Sequence, residues 1–189
     1  VMLSSDLRIR KNFLKYLLNH FENPNVGMVV GRPIADKNSN IYRFSRIIWE
    51  LHHILCLKNP KGTEICAFRK IFKNFPRVVA DEVFIEYKIK KAGYRIIYEP
   101  RAYGFTKVPN SLKQLFNQRK RIFDGHMQIK RKYGFETSSQ KFSLLLKVIL
   151  EFIKKEKISL NLILLMLIET LARTLGFIES LFNYYEIIW

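Results

Sequence analysis

Three short apolar runs, Val26 to Val30, Ile65 to Phe68 and Tyr94 to Tyr98, alternate with segments of helical period, and no other feature constrains the chain as much. Runs of this length between glycine or polar turns suit strands buried in a sheet. A fourth run, Val1 to Ser4, ends in Ser4-Ser5-Asp6, the pattern of a buried strand that delivers a polar tip. Between them, Phe13, Leu14, Leu17, Leu18 and Phe21 recur at helical spacing and Asn23-Pro24-Asn25 closes that helix. Tyr42 to Leu57 predicts a long amphipathic helix, Lys58 to Gly62 a polar turn, and Val83 to Ala92 a helix opened by Asp81-Glu82 and ended by Gly93. Ser111 can cap a helix through Gln118, Arg121 and His126. The alternation predicts an α/β layered fold.

Beyond Ser139 the composition changes. Phe142 to Ile153 is amphipathic, with Lys147 and Glu151 four apart. Ile158 to Ile168 carries no charge, and apolar character resumes after Glu169 and Arg173 as far as Phe182. The stretch has the length of a spanning helix, and its two charges are spaced to pair with each other. A spanning helix, an interfacial hairpin and a soluble helical cap all fit. Lys154, Lys155 and Lys157 favour the two membrane readings, with Tyr184, Tyr185 and Trp189 suited to the opposite interface.

The charge is lopsided. Thirty-three Lys and Arg face sixteen Asp and Glu, a net charge of +17, which calls for an anionic partner such as nucleic acid, a membrane face or a phosphorylated substrate. Thirteen basic residues against Glu99 and Asp124 lie between Lys88 and Lys132. The two cysteines, Cys56 and Cys66, form neither a zinc pattern nor a disulfide framework, and read as small core residues in a reducing compartment. His52 and His53, adjacent on a helix, point about 100° apart and make no two-ligand metal face; one is expected packed and the other exposed.

Three groupings carry possible chemistry. Asp6, at the tip of a strand, can hold a divalent cation against a diphosphate, or cap the next helix. Asp81-Glu82, at a helix start, can supply a carboxylate base for a sugar hydroxyl, or cap the helix and suit its dipole. Gln118-Arg119-Lys120-Arg121 places Gln118 and Arg121 on one helix face, fit for a diphosphate or a sugar, or forms a basic face towards membrane or nucleic acid.

Their order and spacing resemble those of family 2 glycosyltransferases over roughly Val1 to Thr137: Ser5-Asp6, then Asn23-Pro24-Asn25-Val26-Gly27, then Gly62 to Arg69, then Asp81-Glu82 with Gly93-Tyr94 eleven and twelve residues beyond Glu82, then Gln118-Arg119-Lys120-Arg121. The nearest likeness is to the membrane-bound branch with cellulose, hyaluronan and ceramide glucosyl synthases. The resemblance implies the C-terminal half of a GT-A (nucleotide-diphospho-sugar transferase) mixed sheet with flanking helices over residues 1–137, then an α-helical membrane-associated tail over 138–189. It further implies that the nucleotide-binding half lies upstream, a reading that suits the opening Val-Met-Leu-Ser-Ser-Asp.

Residue by residue, the resemblance implies that Asp6 binds a divalent metal (Mg2+ or Mn2+) and the donor diphosphate, although only one acid stands where many relatives have Asp-x-Asp. Glu82 falls at the catalytic base by the count from Gly93-Tyr94; the two acids stand in swapped order, which keeps Asp81 as the alternative. Gln118 and Arg121 fall in the Gln-x-x-Arg-Trp motif, with Ile122 in place of the tryptophan. Glu64 falls on the acceptor side. The implied activity is inverting transfer from a nucleotide-sugar to a lipid or glycan acceptor, at the cytoplasmic face of the cell membrane and without nucleic acid as a partner. Two other readings compete: a basic binding module for nucleic acid or anionic lipid, and a degenerate, inactive transferase.

Overall fold

A computed structural model describes residues 1–182. Tyr184, Tyr185 and Trp189 lie outside the described residues. The chain folds in the order β1 (Met2–Leu3), β2 (Leu7–Ile9), α1 (Phe13–Leu18), β3 (Val26–Ala35), α2 (Tyr42–Lys58), β4 (Ile65–Phe68), α3 (Asp81–Lys91), β5 (Arg95–Thr106), α4 (Leu112–Tyr133), α5 (Phe142–Glu156) and α6 (Leu160–Leu181), with 3-10 turns at Asn19–Glu22 and Ser138–Gln140. The strands form one mixed sheet of order β1-β4-β3-β5-β2, in which only β3 and β5 run parallel.

The sheet is covered on both faces, as the apolar runs require. Strand alternation sorts the side chains: Val29 of β3 and Ile65 and Ala67 of β4 join Phe13 and Leu17 of α1 on one face. Met28, Val30 and Cys66 turn to the other face and meet Ile85 and Ile89 of α3. A third core lies between α3 and α4, where Val83 and Phe84 meet Ile129. The fourth joins Ile47, Ile54 and Leu55 of α2 to Leu115 of α4, Val148 and Phe152 of α5, and Leu162 and Leu165 of α6.

Several expectations are refined. The run from Val1 to Ser4 is a two-residue edge strand with Leu3 exposed, because β1 pairs only with β4 and ends the sheet. Strand β3 continues past Val30 to Ala35, and Pro33 is tolerated there because β4 pairs only with Met28 to Val30. Strand β5 runs on to Thr106; its register against β3 passes from Tyr98 to Tyr103, which leaves Glu99 to Ala102, with Pro100, in the irregular stretch. Glu151 pairs with Lys58 at 2.6 Å and Lys155 at 3.2 Å rather than with Lys147. His53 is not exposed: its ring nitrogen lies 2.8 Å from the Tyr98 hydroxyl, while His52 packs edge-on to Trp49.

Candidate active site

The carboxyl ends of the parallel pair β3 and β5 define the working edge of the sheet, the place where ligands settle in open α/β folds. Antiparallel pairing brings other segments to the same edge. Leu3 pairs with Ile65 and the Ser4 amide donates to the Glu64 carbonyl at 3.1 Å, so the Ser5-Asp6 turn lies beside the start of β4. Leu7 pairs with Thr106, the last residue of β5. Asp6, Glu64 and Thr106 therefore meet although they stand far apart in sequence.

Helix α3 delivers the remaining acids. Its N-cap, Ala80, offers no side-chain acceptor, and Asp81 and Glu82 fill the first turn where the dipole favours anions. Gly62 presses on this turn: a Cβ there would lie 2.4 Å from the Glu82 carbonyl oxygen, so only glycine allows the loop to approach. One helical turn on, Glu86 is fully buried and accepts hydrogen bonds from the Gly62 amide at 3.0 Å, the Thr137 hydroxyl at 3.1 Å and the Lys90 ammonium at 2.6 Å. That carboxylate pins the loop, α3 and the segment after α4 together.

Electrostatics separates the acids. Enclosure of the Glu82 carboxyl raises its pKa above the ordinary glutamate range; the Lys61 charge works against this, and Asp81 and Glu86 reinforce it. Glu64 is raised first by burial and then by the negative charges of Glu82 and Asp6, with the Thr106 hydroxyl opposing. Its Oε1 is buried without a hydrogen-bond partner among the described residues. Asp81 is raised by burial alone. Asp6 stays exposed, with the Ser5 hydroxyl at 3.4 Å. Among the described residues no group of three His, Cys, Asp or Glu side chains can hold a metal ion. A hard cation at Asp6 would take most of its oxygen ligands from a phosphorylated substrate and water.

Helix α4 carries the basic motif. Ser111 caps it by accepting from the Gln114 amide at 3.2 Å, as its position before the helix predicts. Gly125 lets α4 pack against Val79 and Ala80, immediately before Asp81. Gln118 and Arg121 remain partly exposed, and neither is hydrogen-bonded to the Asp6, Glu64 and Glu82 group among the described residues. Arg119, between them, turns the other way and pairs with Glu169 of α6, which Arg173 also reaches at 3.1 Å. Lys61 and Glu86 lie outside the groupings that the sequence offers, and Arg119 stands inside one without a role of its own. Glu86 had a signal, since it lies four residues after Glu82 and hence on the same helix face.

No protein-family model matches the chain. The chain is similar to poly-beta-1,6-N-acetyl-D-glucosamine synthase of Staphylococcus aureus strain COL, 24% identical over 154 residues, which covers 74% of this chain and 37% of the relative. The proteins of strains MSSA476 and N315, with the same name, match to the same extent. The chain thus spans about 37% of the length of the curated relatives it matches. A distant relative that is a sugar-polymer synthase supports, at that general level only, a glycosyltransferase reading of the chain.

Proposed function

We propose that this chain carries the acceptor-side part of an inverting glycosyltransferase that moves a sugar from a nucleotide-sugar donor to a lipid or glycan acceptor at a membrane. The observation that carries the proposal is the position of Glu82: an enclosed carboxylate at a helix start whose charge, like that of Asp6, acts on the buried Glu64 at the carboxyl-end edge of the sheet. A base that works near neutral pH needs a pKa above that of a free carboxylate, and enclosure provides it.

In the proposed step the Glu82 carboxylate takes the proton of the acceptor hydroxyl. The acceptor oxygen then bonds to the anomeric carbon opposite the departing nucleoside diphosphate, whose bond to that carbon breaks with inversion. Glu64, with its unpartnered oxygen, is placed to accept a hydrogen bond from an acceptor hydroxyl. Gln118 and Arg121 would meet the diphosphate, where a guanidinium favours the developing charge. Mg2+ or Mn2+, if Asp6 and the donor phosphates hold one, would neutralise that charge further.

The membrane part of the proposal rests on α5 and α6. Leu160, Leu164, Leu167, Leu171 and Leu175 expose one apolar stripe of α6, while its Glu169 and Arg173 side packs against α4. Phe142, Leu146 and Leu150 expose a second stripe on α5, which ends in the basic Lys154 and Lys155. Apolar faces rimmed by lysine suit the headgroup boundary of a cytoplasmic leaflet. A basic nucleic-acid module is the weaker reading, because Asp6, Glu64, Asp81 and Glu82 would place negative charge on the binding edge.

Glu82→Gln and Asp81→Asn in the full-length protein test the assignment. Sugar transfer by membranes should fall by about 10²-fold or more in Glu82→Gln, the usual contribution of a positioned base, and should largely survive in Asp81→Asn. The reverse pattern would move the base to Asp81, and equal activity in both variants would remove the base from this helix.

A further inference from the structure

Lys61 is a buried lysine, 7% exposed, in the loop between α2 and β4. The loop is fixed rather than free. Its next residue, Gly62, donates its amide to Glu86 at 3.0 Å and lies against the Glu82 backbone, so Lys61 is held at the first turns of α3. Thr63 closes the other side, its hydroxyl bridging the Ile65 amide at 3.1 Å and carbonyl at 2.8 Å. Burying an ammonium is unfavourable unless an anion shares the site.

The charged groups facing Glu82 are unequal in sign. Glu64 faces it from the residue before β4, beside the neutral Cys66 thiol, and Asp81 and Glu86 lie on its own helix. Lys61, from the loop, is the cation that acts on Glu82. On the far side, the same ammonium faces His52 of α2 and His126 of α4, two enclosed imidazoles that burial and nearby cations keep neutral. Lys61 therefore adds positive charge to an otherwise acidic edge, and the neutral histidines add none.

We infer that Lys61 is a positioning residue for Glu82: the Glu86–Gly62 clasp holds this buried lysine at the first turn of α3, and its charge prepares the Glu82 carboxylate to accept a proton. The inference rests on the proposed role of Glu82 as base and adds a group that prepares it. Without Lys61, only a backbone hydrogen bond would oppose the raising effects of burial, Asp81 and Glu86 on Glu82. The base would then stay protonated to higher pH.

The test uses the full-length protein in membranes and compares wild type with Lys61→Met, Lys61→Gln and Lys61→Arg. Transfer from a panel of radiolabelled UDP- and GDP-sugars is followed between pH 5 and pH 9. In parallel, carbodiimide labelling of Glu82, read by mass spectrometry, follows the carboxyl's own titration without any need for turnover. The acid limb of the rate profile and the labelling midpoint should both move up by about one pH unit in Lys61→Met and Lys61→Gln, a tenfold change in proton affinity. Lys61→Arg should return both towards wild type. A profile lowered equally at every pH, or an unmoved labelling midpoint, would overturn the inference and leave Lys61 a packing residue. Glu82→Gln separates the two ideas: full activity there refutes the base, whereas lost activity there with an unmoved Lys61→Met profile refutes only the role of Lys61.

Discussion

At the scale of single residues, the account turns on which side chains the fold encloses. Enclosure raises Glu82, so the proposed base becomes protonated, and the rate falls, as pH drops through a value above the ordinary glutamate range. A pH–rate profile with its acid limb down in the normal carboxylate range would contradict that environment. Enclosure also governs the thiols: burial pushes Cys56 up to about 11 and Cys66 up to about 12. Both should resist maleimide at pH 8 in the native protein and react within minutes after denaturation, because the thiolate is the nucleophile. Glu82 was legible in the sequence as a candidate only, through its spacing to Gly93, and the unpaired cysteines through the lack of any second pair. Lys61 was not, because a lysine beside a glycine in a polar turn gives no sign that the loop will be pinned by a carboxylate twenty-four residues on.

At the scale of elements, backbone proximity sets the tolerance to change. Gly62→Ala would drive a methyl into the Glu82 carbonyl, and Gly31→Ala would place one 2.3 Å from the Ala102 carbonyl where β3 and β5 come together. Each should destabilise the chain by about 1–3 kcal/mol, typical of overpacking, measured by thermal unfolding in detergent; Gly62→Ala should also reduce transfer, because it displaces the first turn of α3. The irregular stretch of β5 has its own lock. Arg101 beside Glu99 holds that carboxyl down to about 2 against the opposing effect of burial, with His20 assisting at 2.8 Å. A depressed carboxyl stabilises the fold above the ordinary carboxylate range, and the contribution is lost as pH falls towards about 2. Thermal melts should therefore drop steeply between pH 5 and pH 2 in wild type and less steeply in Glu99→Gln. The strands themselves were legible as apolar runs, but their ends were not: Arg32-Pro33 and Glu99-Pro100-Arg101 break the pattern, and only the partner strands and His20 show that the chain continues there.

At the scale of the whole molecule, the helical tail and the α/β layer share one core, and charge links them across the α4–α6 contact. Glu169 accepts from Arg173 at 3.1 Å and also pairs with Arg119, while Lys120 reaches Glu179 at 2.7 Å. Gly176 allows close approach to the Lys120 backbone. The i,i+4 pair was visible in the sequence; the third member, Arg119, comes from another helix and was not. Removing Glu169 leaves two partly buried guanidiniums facing each other, so Glu169→Ala should cost about 1–3 kcal/mol and loosen α6 from α4, seen as faster hydrogen exchange along both helices. The exposed leucines of α6 make a separate claim: Leu167→Glu with Leu171→Glu should weaken vesicle flotation without altering the acidic edge. The most direct test of the central claim is transfer itself, measured as nucleoside diphosphate release and sugar incorporation by membranes that hold the full-length protein, across common nucleotide-sugars with Mg2+ or Mn2+. The account predicts turnover of at least one donor by wild type and its loss in Glu82→Gln; wild-type membranes that turn over none, or Glu82→Gln membranes as active as wild type, would contradict it.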